Sequence, residues 1–318
     1  MIVESTSGRT RSSRGLGWRA LVALAGAGFA VAADALHAQP VQSSAGTSVI
    51  GWLPERPNEG ELFAVRVAPP PDREIVLIVG SAAGEPLHFE RGSDGVFESL
   101  AAVPLGARAS VSVRLSAFYV DGREEASEHT VPVTPGVYNH RRLNVAPELG
   151  SPPTPAQQAR REREAALAAE VSEKSHRTPR LWSGAVVLPK DVQRVTSGFG
   201  DGRVFNGQVS SQHTGLDLDG VTGDTVVAAA RGVVELTGQF ELAGNNVYIN
   251  HGSGLVTAYF HLSEQLVEVG DTVEIGTPIG RVGATGRVTG PHLHWVVRYG
   301  HTSVDPQSLI AISERDSR

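Results

Sequence analysis

Three short stretches in the last third of the chain restrict what it can become: H-T-G-L-D at 213–217, T-A-Y-F-H-L at 257–262 and H-L-H at 292–294. Each places metal-ligating or proton-transferring side chains two or four positions apart in text that reads as β-strand. A strand sends alternate side chains to opposite faces. On that periodicity His213 shares a face with Asp217, and Leu216 and Leu218 fall behind. Thr257, Tyr259 and His261 share a face, with Ala258, Phe260 and Leu262 behind. His292 and His294 share a face, backed by Leu293 and Trp295. The apolar side of each strand can bury while the polar side converges. A bare sheet face has little reason to hold four histidines and a carboxylate; a zinc ion accounts for them.

Composition narrows the donors. The 318-residue chain contains no cysteine, which excludes disulfides, thiolate ligation and cysteine nucleophiles, so zinc must be held by His and carboxylate. A net charge of −6 lacks the basic footprint of a nucleic-acid binder. The N-terminus has the order of a secretory signal. Arg9, Arg11, Arg14 and Arg19 precede an apolar run from Ala20 to Ala33, and cleavage is expected near Ala35 or Ala38. That run is short for a bilayer span. The expectation is export to the periplasm or cell envelope, with residues 1–38 removed and no membrane span left; an uncleaved anchor is the alternative.

The fold expected is mainly β, in two parts. From 49 to 134, short alternating strands such as Val111, Val113, Leu115, Ala117 and Tyr119 are punctuated by Gly and Pro clusters. This predicts a β-sandwich of the immunoglobulin-like kind, an accessory domain that positions or binds. Residues 135–184 read as a proline-rich linker followed by a helix over Ala156–Lys174, with Thr154 and Pro155 as its start. Its apolar face is thin, so a solvated linker helix is expected. The sharper alternative is a helix lying across a catalytic groove. Residues 185–312 show almost no helical period. Glycine-rich turns there divide β-branched strands, predicting a compact antiparallel β domain, with a tail at 313–318.

A catalytic zinc takes three N or O ligands and keeps one position for water. His213, Asp217 and His294 are the best set, joining one local element to a distant strand. His261 and His292 remain to move the proton of that water. Tyr259, placed by alternation beside His261, is a candidate donor to a developing oxyanion. The other histidines read as structural or exposed: His88 and His129 as isolated residues, His251 in a turn, and His301 near the end. Asp219 is either a carboxylate orienting a ligand histidine or a turn residue before Gly220.

These residues, with Gly198-Phe199-Gly200, N-N-V-Y-I-N-H-G-S-G-L-V-T-A-Y-F-H-L-S and V-G-A-T-G-R-V-T-G-P-H-L-H-W, resemble the lysostaphin-like zinc endopeptidases of family M23, which cut peptide bonds in bacterial peptidoglycan. The resemblance covers about 185–312. It implies one zinc on His213, Asp217 and His294, and a catalytic pair in His261 and His292. It also implies an antiparallel sheet around a groove for an extended peptide. The sandwich and the Ala/Glu/Arg helix look, more loosely, like the N-terminal region of exported M23 proteins. The alternative function is a non-catalytic M23-like module that activates a cell-wall amidase. A lipoyl- or biotinyl-type carrier is disfavoured, because no lysine follows Lys190.

Overall fold

Alternation makes the strand Ser110–Tyr119, whose burial alternates with its sequence from Val111 to Tyr119. The computed structural model of the protein describes residues 47–107, 109–191 and 194–316. The expected signal segment lies outside them. The described chain is mainly β. One sheet runs in the order Val49–Leu53, Leu62–Ala68, Phe97–Ala102, Glu90–Arg91. A second runs Glu85–Pro86, Ile75–Ala82, Ser110–Tyr119, Glu124–Pro132. Phe63, Val65, Val67, Ile78, Val113 and Leu115 share one core between them.

The C-terminal sheet runs Val195–Ser197, Leu216–Asp219, His292–Tyr299, Leu255–Leu262, Gly244–Gly252, Gly232–Phe240, Thr272–Val273, all antiparallel. One face buries Leu218, Leu293, Trp295, Val297, Tyr259 and Ile249. On the other face the cross-strand pair Asp217 and His294 stands at one end. At the other end Tyr248, Val256, Ala258 and Val296 form an apolar patch.

The helix Pro155–Arg177 covers that patch. Thr154 and Gln157 form a reciprocal capping box, and Pro155 opens the first turn. The helix is not the solvated linker expected. Ala168, Val171, Ser172 and Ser175 are buried against the sheet, while Leu167 is 43% exposed. The buried stripe is built of small residues, so its apolar signal is weak although its backbone approaches the sheet closely. The Ser172 and Ser175 hydroxyls donate to Ala168 and Ser172 carbonyls, which removes the cost of burying them. Nor does the helix line the hollows beside Asp217 and His294. The segment that does is His140–Leu143, which pairs parallel to Gly202–Phe205 and puts Arg141 and Leu143 on the wall.

The tail expected from 313 is instead the end of a helix, Pro306–Asp316. Leu309 and Ile312 enter the same buried cluster as Leu62, Ala102 and Trp182. The Ser308 hydroxyl accepts from the Leu62 N–H at 3.0 Å, and Ser313 from the Val186 N–H at 2.9 Å. One core thus includes residues of the first sheet and of the C-terminal sheet. If the long helix is a structural cover, Val171→Asp lowers stability by about 3 kcal/mol in urea unfolding. Leu167→Asp, on the exposed side, leaves it within about 0.5 kcal/mol.

Candidate metal centre

His213 precedes its strand and reaches Asp217 through the turn at Thr214 and Gly215. Its backbone is pinned on both sides: its N–H donates to Asp201 O at 2.8 Å, and its carbonyl accepts from Gly200 N–H at 2.7 Å. A side chain at Gly215 would place its Cβ 2.7 Å from His294 Cε1 and 2.6 Å from Trp295 O. That position must be glycine for the His294 ring to sit where it does. Asp217 and His294 are opposite residues of adjacent antiparallel strands, so their side chains rise together.

The three converge tightly. His213 Nε2 is 2.9 Å from Asp217 Oδ1 and 2.9 Å from His294 Nδ1, and His294 Nδ1 is 2.7 Å from Asp217 Oδ1. All three side chains are buried. The Nδ1–H of His213 donates to Gly198 O. A neutral ring so bonded has a bare Nε2, and here that lone pair faces a carboxylate oxygen. Two electron-rich atoms face each other with no proton required between them, and a divalent cation relieves that opposition. Among the described residues this is the one His/Asp/Glu group able to hold a metal.

His261 and His292 flank the group with the same device. His261 Nδ1–H donates to Thr285 O and His292 Nδ1–H to Gly290 O, each at 2.8 Å. Their Nε2 atoms are therefore free to accept; that of His292 lies 3.7 Å from Asp217 Oδ1. The His261 and His292 ring centroids are 4.9 Å apart, and His261 and His294 are 5.7 Å apart.

Tyr259 is the correction. Strict alternation put it beside His261, but His261 has φ +64°, a left-handed backbone that breaks the alternation. Tyr259 pairs across the sheet with Trp295 and faces the core, fully buried. Its hydroxyl accepts from Ala229 N–H at 2.9 Å and meets Thr257 Oγ1 at 2.9 Å. Thr257 in turn meets His251 Nε2 at 2.8 Å, so His251 belongs to a buried structural chain within a strand, not to a turn. Burial pushes the Tyr259 hydroxyl up to about 12. The residue that reaches the site is Phe260, whose ring stacks on His294 with centroids 5.4 Å apart.

Sequence reasoning also passed over Arg203. Its Nη2 donates to Asp217 Oδ2 and to Ser197 Oγ, so both carboxylate oxygens are engaged. Asp219 stands opposite His292 and accepts from the Arg194 backbone N–H at 3.3 Å. Four other described histidines, His88, His176, His301 and His129, make their contacts elsewhere. His88 and His176 meet at 2.8 Å, with Glu85 3.2 Å from His176, and exposed His301 bonds Glu173 at 2.6 Å. The His129 ring lies tilted against that of Trp52, with centroids 6.3 Å apart.

Electrostatics act on Asp217 and His294 of this group. Burial opposes ionisation of Asp217, but the contacts with His213 and His294 hold its carboxyl well below the ordinary range. Burial drives His261 well down, helped by His294 and His292. Burial also pushes His294 and His251 down from 6.5 to about 4. Between those values the unfolded chain binds more protons than the folded one, so stability falls as pH falls. Thermal melts of chelator-treated protein are expected to show Tm dropping from pH 6.5 to pH 4; a flat Tm would contradict these protonation states.

Residues 211–306 match the family model described as Peptidase family M23. Over 109 residues the chain is 43% identical to peptidoglycan DD-endopeptidase ShyC of Vibrio cholerae, covering 34% of this chain and 25% of that protein. Over 97 residues it is 43% identical to the DD-carboxypeptidase/endopeptidase Mpg of Neisseria meningitidis, covering 30% and 22%. The matches thus span about a quarter of the length of these relatives. A crystal structure of a peptidase M23 from Pseudomonas aeruginosa superposes with TM-score 0.62 at 25% identity, covering 81% of this chain and 96% of that one.

Proposed function

We propose that the peptidase M23 domain carried by this chain is a zinc-dependent endopeptidase that hydrolyses peptide bonds of bacterial cell-wall peptidoglycan. The observation that carries the reading is the triangle of His213 Nε2, Asp217 Oδ1 and His294 Nδ1, with edges of 2.7–2.9 Å. Two nitrogens and one oxygen, buried and converging, fit a zinc ion. When bound, zinc supplies a water of lowered pKa and a Lewis acid for the scissile carbonyl.

The chain's own residues do the rest. Arg203 holds the Asp217 carboxylate by its Oδ2, leaving Oδ1 toward the two ligand histidines. His261 and His292, each with Nδ1 occupied by a carbonyl, offer Nε2 to take a proton and hand it to the leaving amine. Phe260 closes one side against water. The relatives' names make the D,D cross-link of stem peptides the first bond to test. Export to the periplasm or envelope accords with the basic and apolar N-terminus. Among the described residues no helix is long and apolar enough to cross a membrane. The order of the accessory strands is one that immunoglobulin-like sandwiches use, and we assign it to that class.

A module that only activates an amidase has no need of a full donor set, and here the set is complete. The test is mass spectrometry of products released from isolated sacculi. Zinc-loaded protein is expected to release peptides, and chelation to abolish release until zinc returns. His294→Ala should lose about a thousandfold or more. His261→Ala and His292→Ala should lose about 100- to 10,000-fold in kcat while keeping the metal. Zinc-loaded protein that releases nothing would leave the activator reading.

A further inference from the structure

Two hollows flank the metal group. One is lined by His213, His261, His294 and Phe260, the other by Asp217, Asp219 and His292. Arg203, Phe205 and Arg287 line both, so they stand where an extended strand would pass from one to the other. The second hollow gathers four guanidinium groups: Arg141, Arg194, Arg203 and Arg287. Two are committed. Arg203 is bonded to Asp217, and Arg141 donates to Thr196 O and lies 3.8 Å from Asp201.

Among the described residues no carboxylate pairs with Arg287. Its guanidinium lies over the Phe205 ring at 4.0 Å to the centroid. Its backbone N–H donates to Leu242 O, so the loop that carries it is anchored. Its charged neighbours Arg161 and Arg203 add to burial in lowering it to about 10, which still leaves it charged at neutral pH. Arg161 and Arg203 are each ion-paired, with Glu241 at 2.8 Å and with Asp217, so those carboxylates are taken up by other cations. A half-buried cation stacked in place, with no carboxylate paired to it among the described residues, is poised for an anionic ligand. Five donors in a planar fork suit a carboxylate.

We propose that Arg287, in the second hollow whose wall also carries Arg194, is a carboxylate-binding subsite that selects substrate strands bearing a free carboxylate close to the scissile bond. The assignment rests on the peptidase reading and adds its substrate class: an acidic peptide, not a neutral or glycine-only bridge. Arg287 positions and selects; it does not take part in bond breaking.

The experiment uses one cross-linked muropeptide with its carboxylates free and the same muropeptide after chemical amidation. The zinc-loaded full chain is expected to prefer the free form about 10- to 100-fold in kcat/KM, through KM. In Arg287→Met, which keeps an aliphatic body over Phe205, the two substrates should converge. In Arg287→Lys part of the preference should return, because charge is kept and the fork lost. Equal kcat/KM of the wild type on both substrates would overturn the subsite while leaving the peptidase intact. So would an Arg287→Met loss of the same factor on both, which marks a purely structural role. Failure to cleave either form would overturn the peptidase reading itself. Calorimetry of His292→Ala protein with each muropeptide then judges the subsite alone: tighter binding of the free form supports it, and equal binding removes it.

Discussion

The site depends on three imidazole rings being turned so that a bare nitrogen faces inward. Each is turned by a backbone carbonyl behind it: Gly198 O for His213, Thr285 O for His261 and Gly290 O for His292. A neutral imidazole has one donor and one acceptor nitrogen, so fixing the donor outward fixes the acceptor inward. His294 is the exception, presenting Nδ1 instead of Nε2. Its ring is held by the Phe260 face on one side and by the missing side chain of Gly215 on the other. Lone pairs and a carboxylate oxygen packed this closely in a buried place are unfavourable without a cation. The fold therefore gathers in one buried place a donor set suited to a divalent cation.

The rest of the architecture holds those carbonyls and rings in place. Asp201 illustrates the linkage. Its carbonyl accepts from His213 N–H, and its carboxylate accepts from the Asn139 N–H at 3.1 Å. The connecting segment is thereby tied to the loop that carries a metal donor. The same segment adds a third strand to the hairpin bearing Arg203 and Phe205. The long helix covers the apolar half of the face on which Asp217 and His294 stand, and the C-terminal helix binds the first sheet to the core beneath. Residues far from the His213, Asp217 and His294 group in sequence thus set its surroundings through backbone hydrogen bonds and packing.

How far the sequence could be read follows from the same physics. Strand alternation placed Asp217 and His294 on one face with Leu218, Leu293 and Trp295 behind, and the structure brings those residues together in that way. Alternation failed at one residue. The left-handed backbone of His261 exchanges the faces expected for Tyr259 and Phe260, and a non-glycine residue there has no signature in the text. Such a conformation costs about 1–3 kcal/mol and is found where a site requires it. The helix over the sheet was misjudged because its buried residues are Ala and Ser, which carry little hydrophobic signal. Arg203 and Arg287 were invisible because an arginine in a polar strand or loop reads as solvated. Only the fold reveals that one grips the Asp217 carboxylate and that the other lies over the Phe205 ring with no carboxylate paired to it among the described residues.

The most direct measurement is anomalous diffraction at the zinc edge from crystals of the zinc-loaded protein. The account requires one dominant peak within about 2.0–2.2 Å of His213 Nε2, an Asp217 carboxylate oxygen and His294 Nδ1. A peak on other side chains, or none at that triangle in protein that still binds one equivalent of zinc, would contradict it.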